Sequence, residues 1–365
     1  MDLVAEMLLH NLRRNHAGTI STTSFAPPMR RRFTRSGKEN GRLFKADRLL
    51  NRFWDYPRLL RRRGAECDLF HIVDHSYGQL VHELPAERTV VTCHDLDTFR
   101  SVLNGRAERR GPFFKAMTRR IMSGLGKAAR VTCDSAATRD ELLAYGLVEP
   151  RRVVVVPNGV HPACSPEADP SADAEAARLL GPARADRLDV LHVGSTIRRK
   201  RIDLLLHVVA ALRKSFPGTR LVRAGGPFTT EQSGLIERLN LSGAVVVLPH
   251  LERDVLAAVY RRAAVVLQPS EREGFGLPVV EALACGTPVV ASDLPVLREV
   301  GGEAAAYCAV GDLAAWTETA AQLLAERGEG GGPWARRRAA AIAQAAKFSW
   351  AEYARKMVAV YRQLL

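Results

Sequence analysis

The chain has 365 residues, which is long for one domain and enough for two domains of roughly 150 to 200 residues each. Hydrophobic residues make up 47% and charged residues 25% of the sequence, a balance typical of globular proteins. This composition excludes a disordered chain, a fibrous repeat and a small disulfide scaffold. No stretch reaches 18 uninterrupted apolar residues, so no membrane-spanning helix is predicted.

The positive charge lies mainly in the first part of the chain. Residues 1–152 hold 28 Lys and Arg against 17 Asp and Glu, whereas 153–365 hold 25 against 22, so the net charge of +14 divides into +11 and +3. Runs such as Arg109-Arg110 and Arg119-Arg120 would attract anions, including an anionic membrane surface. The alternative is a solvated basic face without a partner.

The termini and cysteines indicate a cytoplasmic protein. The first residues carry the acids Asp2 and Glu6 and lack a basic start, so no secretory signal is expected. Six cysteines without a CxxC pair indicate reduced thiols rather than disulfides or a metal site. We therefore expect a cytoplasmic location, with at most peripheral contact at the inner membrane face.

The first half alternates apolar runs with amphipathic stretches, which predicts an α/β architecture with a parallel sheet. A helix is predicted over 2–12 and a strand over 19–25. Further strands are predicted over 68–73, 88–94, 129–134 and 152–157, with helices over 113–125 and 137–145.

The second half repeats the alternation after a linker over 164–186, which is rich in Ala, Pro and Asp. Strands are predicted over 188–193, 219–224, 244–248, 265–268 and 287–291, and helices over 202–216, 251–263 and 278–284. A surface loop over 328–333 precedes a last helix, whose apolar spacing gives it one apolar face.

Both halves are therefore predicted to be Rossmann-like, with a cleft between them. The domains are predicted as 1–160 together with 350–365, and 161–349. A Rossmann-like half is expected to open with a buried strand, yet residue 1 falls directly on the first predicted helix. We therefore expect the first strand of the N-terminal domain to be missing, which would leave its sheet with an uncovered edge.

The most informative run, PSEREGFGLPVVEA, joins a predicted strand to a predicted helix. Its glycines leave the amides of Phe275, Gly276 and Leu277 unpaired at a helix start, where partial positive charge binds an anion or a ring of hydroxyls. A carboxylate beside these amides would repel phosphate, so Glu273 is expected to bind sugar hydroxyls or a developing positive centre. The alternative is a glycine turn with incidental acids.

A second candidate site is the run VGSTIRRK, where a strand ends at Gly194 and a basic turn follows. Arg199 can hold two phosphate oxygens and Lys200 adds a point charge, which together suit a diphosphate. The alternative is a solvated basic turn.

His94 ends the predicted strand over 88–94, and ligands bind at the carboxyl ends of strands in open α/β sheets. The alternative is a structural histidine that hydrogen-bonds to a loop. His71, His75 and His82 flank a similar strand end and could line the same cavity.

Taken in order, these motifs resemble glycosyltransferase family 4, the retaining group with the GT-B fold. The likeness extends from about residue 68 to the C-terminus and is densest over 188–310. It is carried by HDL at His94, PNGV over 157–160, VGS and RK over 193–200, the E-x7-E motif from Glu273 to Glu281, and ACGTPVVAS over 284–292.

The resemblance implies a role for each matched residue. Arg199 and Lys200, in the turn that opens at Gly194, would bind the donor diphosphate. Glu281 would hold the ribose hydroxyls of the nucleotide. The transferred sugar would be held by Glu273 with the amides of Phe275, Gly276 and Leu277, and contacted by His94.

The implied reaction moves a hexose from a nucleotide-diphosphate sugar of GDP-mannose or UDP-sugar type to a hydroxyl of a glycan or lipid-linked acceptor. No cofactor and no metal are expected, because Asp95 and Asp97 have the spacing of a cation clamp but lie far in sequence from the diphosphate turn. The alternatives are a nucleotide-sugar epimerase of similar fold and a non-catalytic basic protein. Nucleic-acid binding is not expected, since aromatic residues are only 6% and rarely interleave with the Arg runs.

Overall fold

The computed structural model describes residues 2–34, 41–61, 67–105, 108–182, 184, 186–329 and 331–365. The chain divides into two units. The N-terminal unit consists of Met1–Asn158 and Trp350–Leu365, and the C-terminal unit of Gly159–Ser349. No helix in the described part of the chain has the length and apolar character needed to cross a membrane.

The N-terminal unit holds a parallel sheet whose four described strands are ordered β1-β2-β3-β4. The strands are β1 Phe70–Ile72, β2 Thr89–Cys93, β3 Arg130–Cys133 and β4 Val153–Val155. The helices before the second unit are α1 Asp2–Asn15, α2 Arg42–Leu50, α3 Tyr56–Arg61, α4 Arg100–Leu103, α5 Pro112–Lys127 and α6 Ala136–Ala144. A π-helical turn, Asn51–Asp55, connects α2 to α3.

Every residue of β2 is buried, as expected for a strand covered on both faces of a parallel sheet. Helix α5 begins with Pro112 at its first turn and packs Ile121 and Leu125 into the core, one helical turn apart. Leu142 of α6 joins the same core.

The predicted strand over 19–25 is wrong. The structure has no strand there, and all seven residues are at least partly exposed to solvent. A strand of a covered parallel sheet buries its side chains on both faces, and this segment buries none.

The C-terminal unit holds six parallel strands in the order β10-β9-β8-β5-β6-β7. They are β5 Leu188–Val193, β6 Thr219–Ala224, β7 Val245–Leu248, β8 Val265–Gln268, β9 Val289–Ser292 and β10 Ala306–Cys308. The helices are α7 Pro170–Leu180, α8 Ile202–Ser215, α9 Thr230–Arg238, α10 Arg253–Arg262, α11 Leu277–Ala284, α12 Pro295–Gly301, α13 Leu313–Glu329 and α14 Gly331–Ala345. The core of this unit packs α8 and the fully buried Trp316 of α13 against the sheet.

The predicted linker over 164–186 is wrong in its central part, because α7 occupies it. Asp169 caps this helix by accepting hydrogen bonds from the amides of Ser171 and Ala172. Ala172, Ala176 and Leu180 are buried at four-residue spacing, which places them on one face.

The predicted surface loop over 328–333 is also largely wrong, since α13 continues to Glu329 and α14 begins at Gly331. Gly330, between them, lies outside the described residues.

The last helix, α15 Trp350–Arg362, belongs to the N-terminal unit and packs against α1. Its buried residues include Tyr353, Met357 and Tyr361. The Tyr361 hydroxyl lies 2.8 Å from Nδ1 of His71 on β1, so a polar contact as well as apolar burial fixes the helix to the sheet.

Candidate active site

Two glycine turns form one side of the candidate site in the C-terminal unit. Gly194 follows β5 with φ of +151°, and Gly225 follows β6 with φ of +130°. A Cβ atom on Gly225 would clash with the carbonyl of Gly194, so only glycine permits this approach of the two turns. The chain then makes a short 3₁₀ turn, Arg198–Lys200, which leads into α8.

The glycine-rich loop after β8 forms the other side. Gly276, with φ of +96°, is the N-cap of α11, and a Cβ at this position would lie 2.6 Å from Cδ2 of Leu297. Among the described residues, nothing accepts a hydrogen bond from the amides of Phe275, Gly276 and Leu277. The start of α11 therefore presents backbone N–H groups that are available for hydrogen bonds, together with the partial positive charge of a helix start.

Three contacts hold the basic turn against this loop. The Glu271 amide donates to the carbonyl of Arg199 at 2.7 Å, and Nη1 of Arg199 donates to the carbonyl of Arg272 at 2.7 Å. The Lys200 ammonium lies 2.5 Å from Oε1 of Glu273. The structure thus brings Glu273 to Arg199 and Lys200, which precede it by more than 70 positions in the sequence.

Glu273 is held as a buried carboxylate. Its Oε1 also accepts hydrogen bonds from Nε2 of Gln268 at 2.6 Å and from Oγ of Ser270 at 2.7 Å. Burial alone would raise its pKa, but the Lys200 charge and the hydrogen bonds from Lys200 and Ser270 outweigh burial, and the net effect is a lowered pKa. The carboxylate is therefore ionised at neutral pH.

Gln268 and Ser270 were missed by the sequence analysis, although both are fully buried and contact Glu273. Their sequence signal is weak but present. A polar glutamine ends the otherwise apolar strand β8, at the carboxyl end where ligands bind in parallel sheets.

Glu281 lies in a different environment, on the buried face of α11. Its Oε2 accepts a hydrogen bond from the Tyr260 hydroxyl at 3.0 Å, and Arg253 lies 3.7 Å from Oε1. Burial raises the pKa of Glu281, and the Tyr260 hydrogen bond and Arg253 offset this in part. The ribose-binding role implied for Glu281 stays a prediction.

His94 lies in the N-terminal unit, immediately after β2, and both of its ring nitrogens face acceptors. Nδ1 lies 2.6 Å from Oδ2 of Asp134, and Nε2 lies 2.7 Å from the carbonyl of Val73. Asn158 supports Asp134 by donating to the same Oδ2 at 2.9 Å. Burial lowers the pKa of His94, but Asp134 outweighs this and raises it to about 9, so the imidazole carries two protons and a positive charge.

Asp134 and Asn158 have no predicted role in the sequence, because only the fold brings Asp134 to His94 and Asn158 to Asp134. The predicted contact between His94 and the transferred sugar stays a prediction. It requires His94 to give up one of its two ring hydrogen bonds, or to contact the sugar through its backbone.

The three histidines predicted to line the same cavity as His94 make hydrogen bonds within the N-terminal unit. They are His71, His75 and His82. His71 bonds to Tyr361 and to Thr92, each at 2.8 Å, and His82 bonds to Ser123 at 2.9 Å. Nδ1 of His75 accepts a hydrogen bond from the backbone amide of His94 at 3.2 Å, so His75 helps to position that loop. In the described part of the chain, no group of three or more His, Cys, Asp or Glu side chains could hold a metal ion.

Two family models match the chain, one mainly over the N-terminal unit and one within the C-terminal unit. The model of glycosyltransferase family 4 matches residues 3–163, and that of the group 1 glycosyl transferases matches residues 181–347. Between them they span both sheets and the residues singled out above.

Similar proteins are glycosyltransferases. The D-inositol 3-phosphate glycosyltransferase of Mycolicibacterium smegmatis is 30% identical over 323 residues, which cover 84% of this chain and 70% of that protein. That of Kineococcus radiotolerans is 39% identical over 181 residues, 47% of this chain and 41% of that protein.

Solved structures show the same fold. The sucrose-phosphate synthase of Thermosynechococcus elongatus superposes with a TM-score of 0.69 at 25% identity, covering 85% of this chain and 77% of that one. HepE of Anabaena, solved in complex with UDP-glucose, superposes with a TM-score of 0.69 at 18% identity, covering 87% of this chain and 84% of that one. These likenesses confirm the predicted GT-B fold class, and with the family models they favour a glycosyltransferase over an epimerase or a non-catalytic protein. The chain belongs to glycosyltransferase family 4, the group 1 glycosyl transferases, and is a nucleotide-sugar glycosyltransferase.

Proposed function

We propose that this enzyme transfers a hexose from a nucleotide-diphosphate sugar to a hydroxyl group with retention of the anomeric configuration. The observation that carries the proposal is the junction of Arg199, Lys200 and Glu273 beside the free amides at the start of α11. A cationic turn and a helix start suit the diphosphate, and a buried carboxylate suits the sugar.

Departure of the nucleoside diphosphate is the costly step, because negative charge accumulates on the leaving oxygen. Arg199, Lys200 and the amides of Phe275 and Leu277 would stabilise that charge without having to reorganise during the reaction. The guanidinium of Arg199 is suited to two phosphate oxygens at once, and Lys200 supplies a point charge.

Glu273 would bind hydroxyls of the transferred sugar. Its Oε1 already accepts three hydrogen bonds, whereas Oε2 lies 3.5 Å from Nη1 of Arg199, beyond the short hydrogen-bond distances seen at Oε1. We assign Oε2 to the sugar for this reason. A carboxylate fixed in its ionised form also stabilises the positive charge that develops at the anomeric carbon as the leaving group departs.

The simplest chemistry is a displacement on one face of the sugar. The bond from the anomeric carbon to the diphosphate oxygen breaks, and the bond to the acceptor oxygen forms on the same face. The departing phosphate oxygen takes the proton of the acceptor hydroxyl, so no separate base is required.

The donor is proposed to be a UDP-sugar or GDP-mannose. HepE of Anabaena, which shares the fold, was solved with UDP-glucose. UDP-sugars are therefore the first members of the donor panel to be tested.

The acceptor is proposed to be anionic and to bind the basic N-terminal unit. Several similar proteins have phosphorylated compounds in their names, among them D-inositol 3-phosphate glycosyltransferase and sucrose-phosphate synthase. The charge of +11 over residues 1–152 is consistent with such an acceptor, free or lipid-linked.

A lipid-linked acceptor would bring the enzyme to an anionic membrane surface. Phe113 and Phe114, at the start of α5, are 70% and 41% exposed, and the exposed Arg109 and Arg110 lie just before this helix in the sequence. Apolar rings among cations are typical of surfaces that bind anionic lipid. If binding to vesicles containing phosphatidylglycerol is insensitive to salt and to the change Phe113→Ser, this part of the proposal fails.

The transfer reaction is tested by incubating the protein with a panel of UDP-sugars and GDP-mannose, with and without phosphorylated and lipid-linked acceptors. We expect release of nucleoside diphosphate that depends on the acceptor, together with a glycosylated product of retained configuration. Conversion of one nucleotide sugar into another without acceptor would instead support an epimerase.

A further inference from the structure

Arg223, near the end of β6, is a buried cation without an acidic partner. Its side chain is fully buried, and no described carboxylate lies within ion-pair distance of its guanidinium. Its Nη2 donates to the carbonyl of Gly226 at 2.9 Å and to that of Gly194 at 3.2 Å, and its guanidinium carbon lies 4.9 Å from the ring centre of Phe228. No described residue accepts a hydrogen bond from its Nε or Nη1.

Arg220, on the same strand, has the acidic partner that Arg223 lacks. Its guanidinium pairs with the buried carboxylate of Asp189, as is usual for a largely buried arginine. Burial lowers the pKa of Arg223 to about 10, which still leaves it charged at neutral pH. An unpaired buried charge destabilises a fold unless something else offsets the cost.

Two carbonyls and the Phe228 ring offset part of this cost, but no described neighbour of Arg223 supplies an opposite charge. Its register neighbour on β5 is His192, which is fully buried and whose two ring nitrogens have no hydrogen-bond partner among the described residues. The charges of Arg223 and Lys200 add to the effect of burial and lower the pKa of His192 to about 3, so it is neutral. The opposite charge is therefore expected to arrive with a ligand.

The hydrogen bond from Arg223 to the Gly194 carbonyl also fixes the orientation of a backbone hydrogen-bond donor, the N–H of Ser195. In a trans peptide, the carbonyl of one residue and the amide N–H of the next point in opposite directions. Because Arg223 holds the Gly194 carbonyl inward, the N–H of Ser195 points away from the buried guanidinium. Ser195 is exposed, and no described residue accepts a hydrogen bond from its amide.

We propose that Arg223 is a positioning residue for the anionic part of the donor: it turns the Ser195 amide outward, and its unpaired charge strengthens the attraction of the Gly194 turn for a diphosphate. This inference rests on the proposed function, since it assigns the diphosphate to that turn. The charge would act over a short distance in a poorly solvated site, where electrostatic effects exceed those in water.

The experiment measures binding by titration calorimetry with UDP, GDP, inorganic pyrophosphate and the nucleosides uridine and guanosine. The variants are Arg223→Met, which keeps the volume without charge, and Arg223→Lys, which keeps the charge. Arg220→Met is the matched control on the same strand. Thermal unfolding of each variant is measured alongside.

For Arg223→Met we expect the Kd of the preferred nucleoside diphosphate and of pyrophosphate to rise about tenfold or more, with nucleoside binding unchanged. Arg223→Lys is expected to bind the diphosphate more tightly than Arg223→Met. The Tm of Arg223→Met is expected to equal or exceed that of the wild type, because an uncompensated charge is removed. Arg220→Met should lower Tm and leave diphosphate binding unchanged.

Two results would overturn the inference while the proposed function stands. One is wild-type diphosphate affinity in Arg223→Met. The other is an equal loss of nucleoside and diphosphate binding that Arg223→Lys does not relieve, which would indicate a purely structural role. If Arg223→Met does not fold, Arg223→Gln, which also removes the charge, takes its place and is judged by the same criteria. Failure of the wild type to bind any nucleoside diphosphate or pyrophosphate would overturn the proposed function and this inference together.

Discussion

The ammonium of Lys200 lies 2.5 Å from Oε1 of Glu273, and this ion pair joins the basic turn before α8 to the glycine-rich loop before α11. The side chains are only 10% and 7% exposed. A donor diphosphate that binds Lys200 must therefore share this cation with Glu273, so the acid tunes the affinity of the site as well as its chemistry.

The change Glu273→Gln is expected to separate binding from catalysis. It removes the negative charge beside the phosphates, so the affinity for nucleoside diphosphate should equal or exceed that of the wild type. Because the amide cannot stabilise the developing positive charge, kcat should fall about 100-fold or more. Steady-state kinetics and calorimetry measure both quantities.

The matched control is Glu271→Gln, two positions earlier, where the side chain is partly exposed and lies 3.5 Å from the guanidinium of Arg201. Its kcat should stay within about threefold of the wild type, since substitutions at such sites have small effects. Near-wild-type turnover by Glu273→Gln would contradict the role given to Glu273.

The change Gly276→Ala is expected to damage the site through the backbone. The residue has φ of +96°, which strains any residue with a Cβ, and the new Cβ would lie 2.6 Å from Cδ2 of the buried Leu297, so the backbone at the start of α11 is expected to shift. We expect a lower Tm and a donor KM at least about tenfold higher, because the free amides move away from the phosphates. Gly243→Ala, where a Cβ meets nothing within 4 Å, should change neither quantity. Equal behaviour of the two variants would refute the argument.

The change Tyr260→Phe tests the environment of Glu281. It deletes the hydroxyl that donates to the buried carboxylate at 3.0 Å, so the pKa of Glu281, already raised by burial, should rise further. We expect about 1–2 kcal/mol of lost stability and a higher donor KM, with kcat largely unchanged. Tyr145→Phe, at an exposed position, is the control. An unchanged KM in Tyr260→Phe would argue against binding of the ribose by Glu281.

The His94–Asp134 pair predicts a pH dependence of stability. The pKa of His94 is raised to about 9, above its ordinary value of 6.5, so the pair stabilises the folded state fully below about pH 6. This contribution is lost as the pH rises through about 9. The stability difference between the wild type and His94→Gln should therefore narrow by roughly 3 kcal/mol from pH 6 to pH 10.

Urea unfolding of both proteins across this range measures that difference. Arg355→Gln, on the surface of the last helix, is the control without a titrating partner near pH 9. A difference between the wild type and His94→Gln that is constant with pH would show that His94 is not the protonated partner of Asp134.

The sequence predicted the sheet of the C-terminal unit closely, because its central strands are continuous apolar runs between clear turns. The predicted strands over 188–193, 219–224 and 265–268 have the observed bounds. The predicted strand over 19–25 failed because local composition does not reveal whether a neighbouring strand exists to pair with it.

Helix α7 was missed although its signals were present. Asp169 and Pro170 form a helix start, and small apolar residues recur every four positions. The Ala, Pro and Asp content of the segment was interpreted as a linker, whereas alanine at helical spacing is buried here against α10.

The parts of the candidate site that lie in local sequence motifs could be predicted from the sequence. The glycine turns, the basic turn and Glu273 are contiguous patterns, and their spatial junction follows from the parallel sheet. The contacts of Gln268, Arg223 and Asp134 depend on which strands are neighbours, and a single polar residue inside an apolar strand has no spacing that reveals its partner.

The most direct test of the account is a crystal structure of the protein with the nucleoside diphosphate that binds it most tightly. We predict that the phosphate oxygens lie within hydrogen-bond distance of Arg199 and Lys200 and of the amides at the start of α11, with the Lys200–Glu273 distance increased. A diphosphate bound elsewhere, with this ion pair unchanged, would contradict the account.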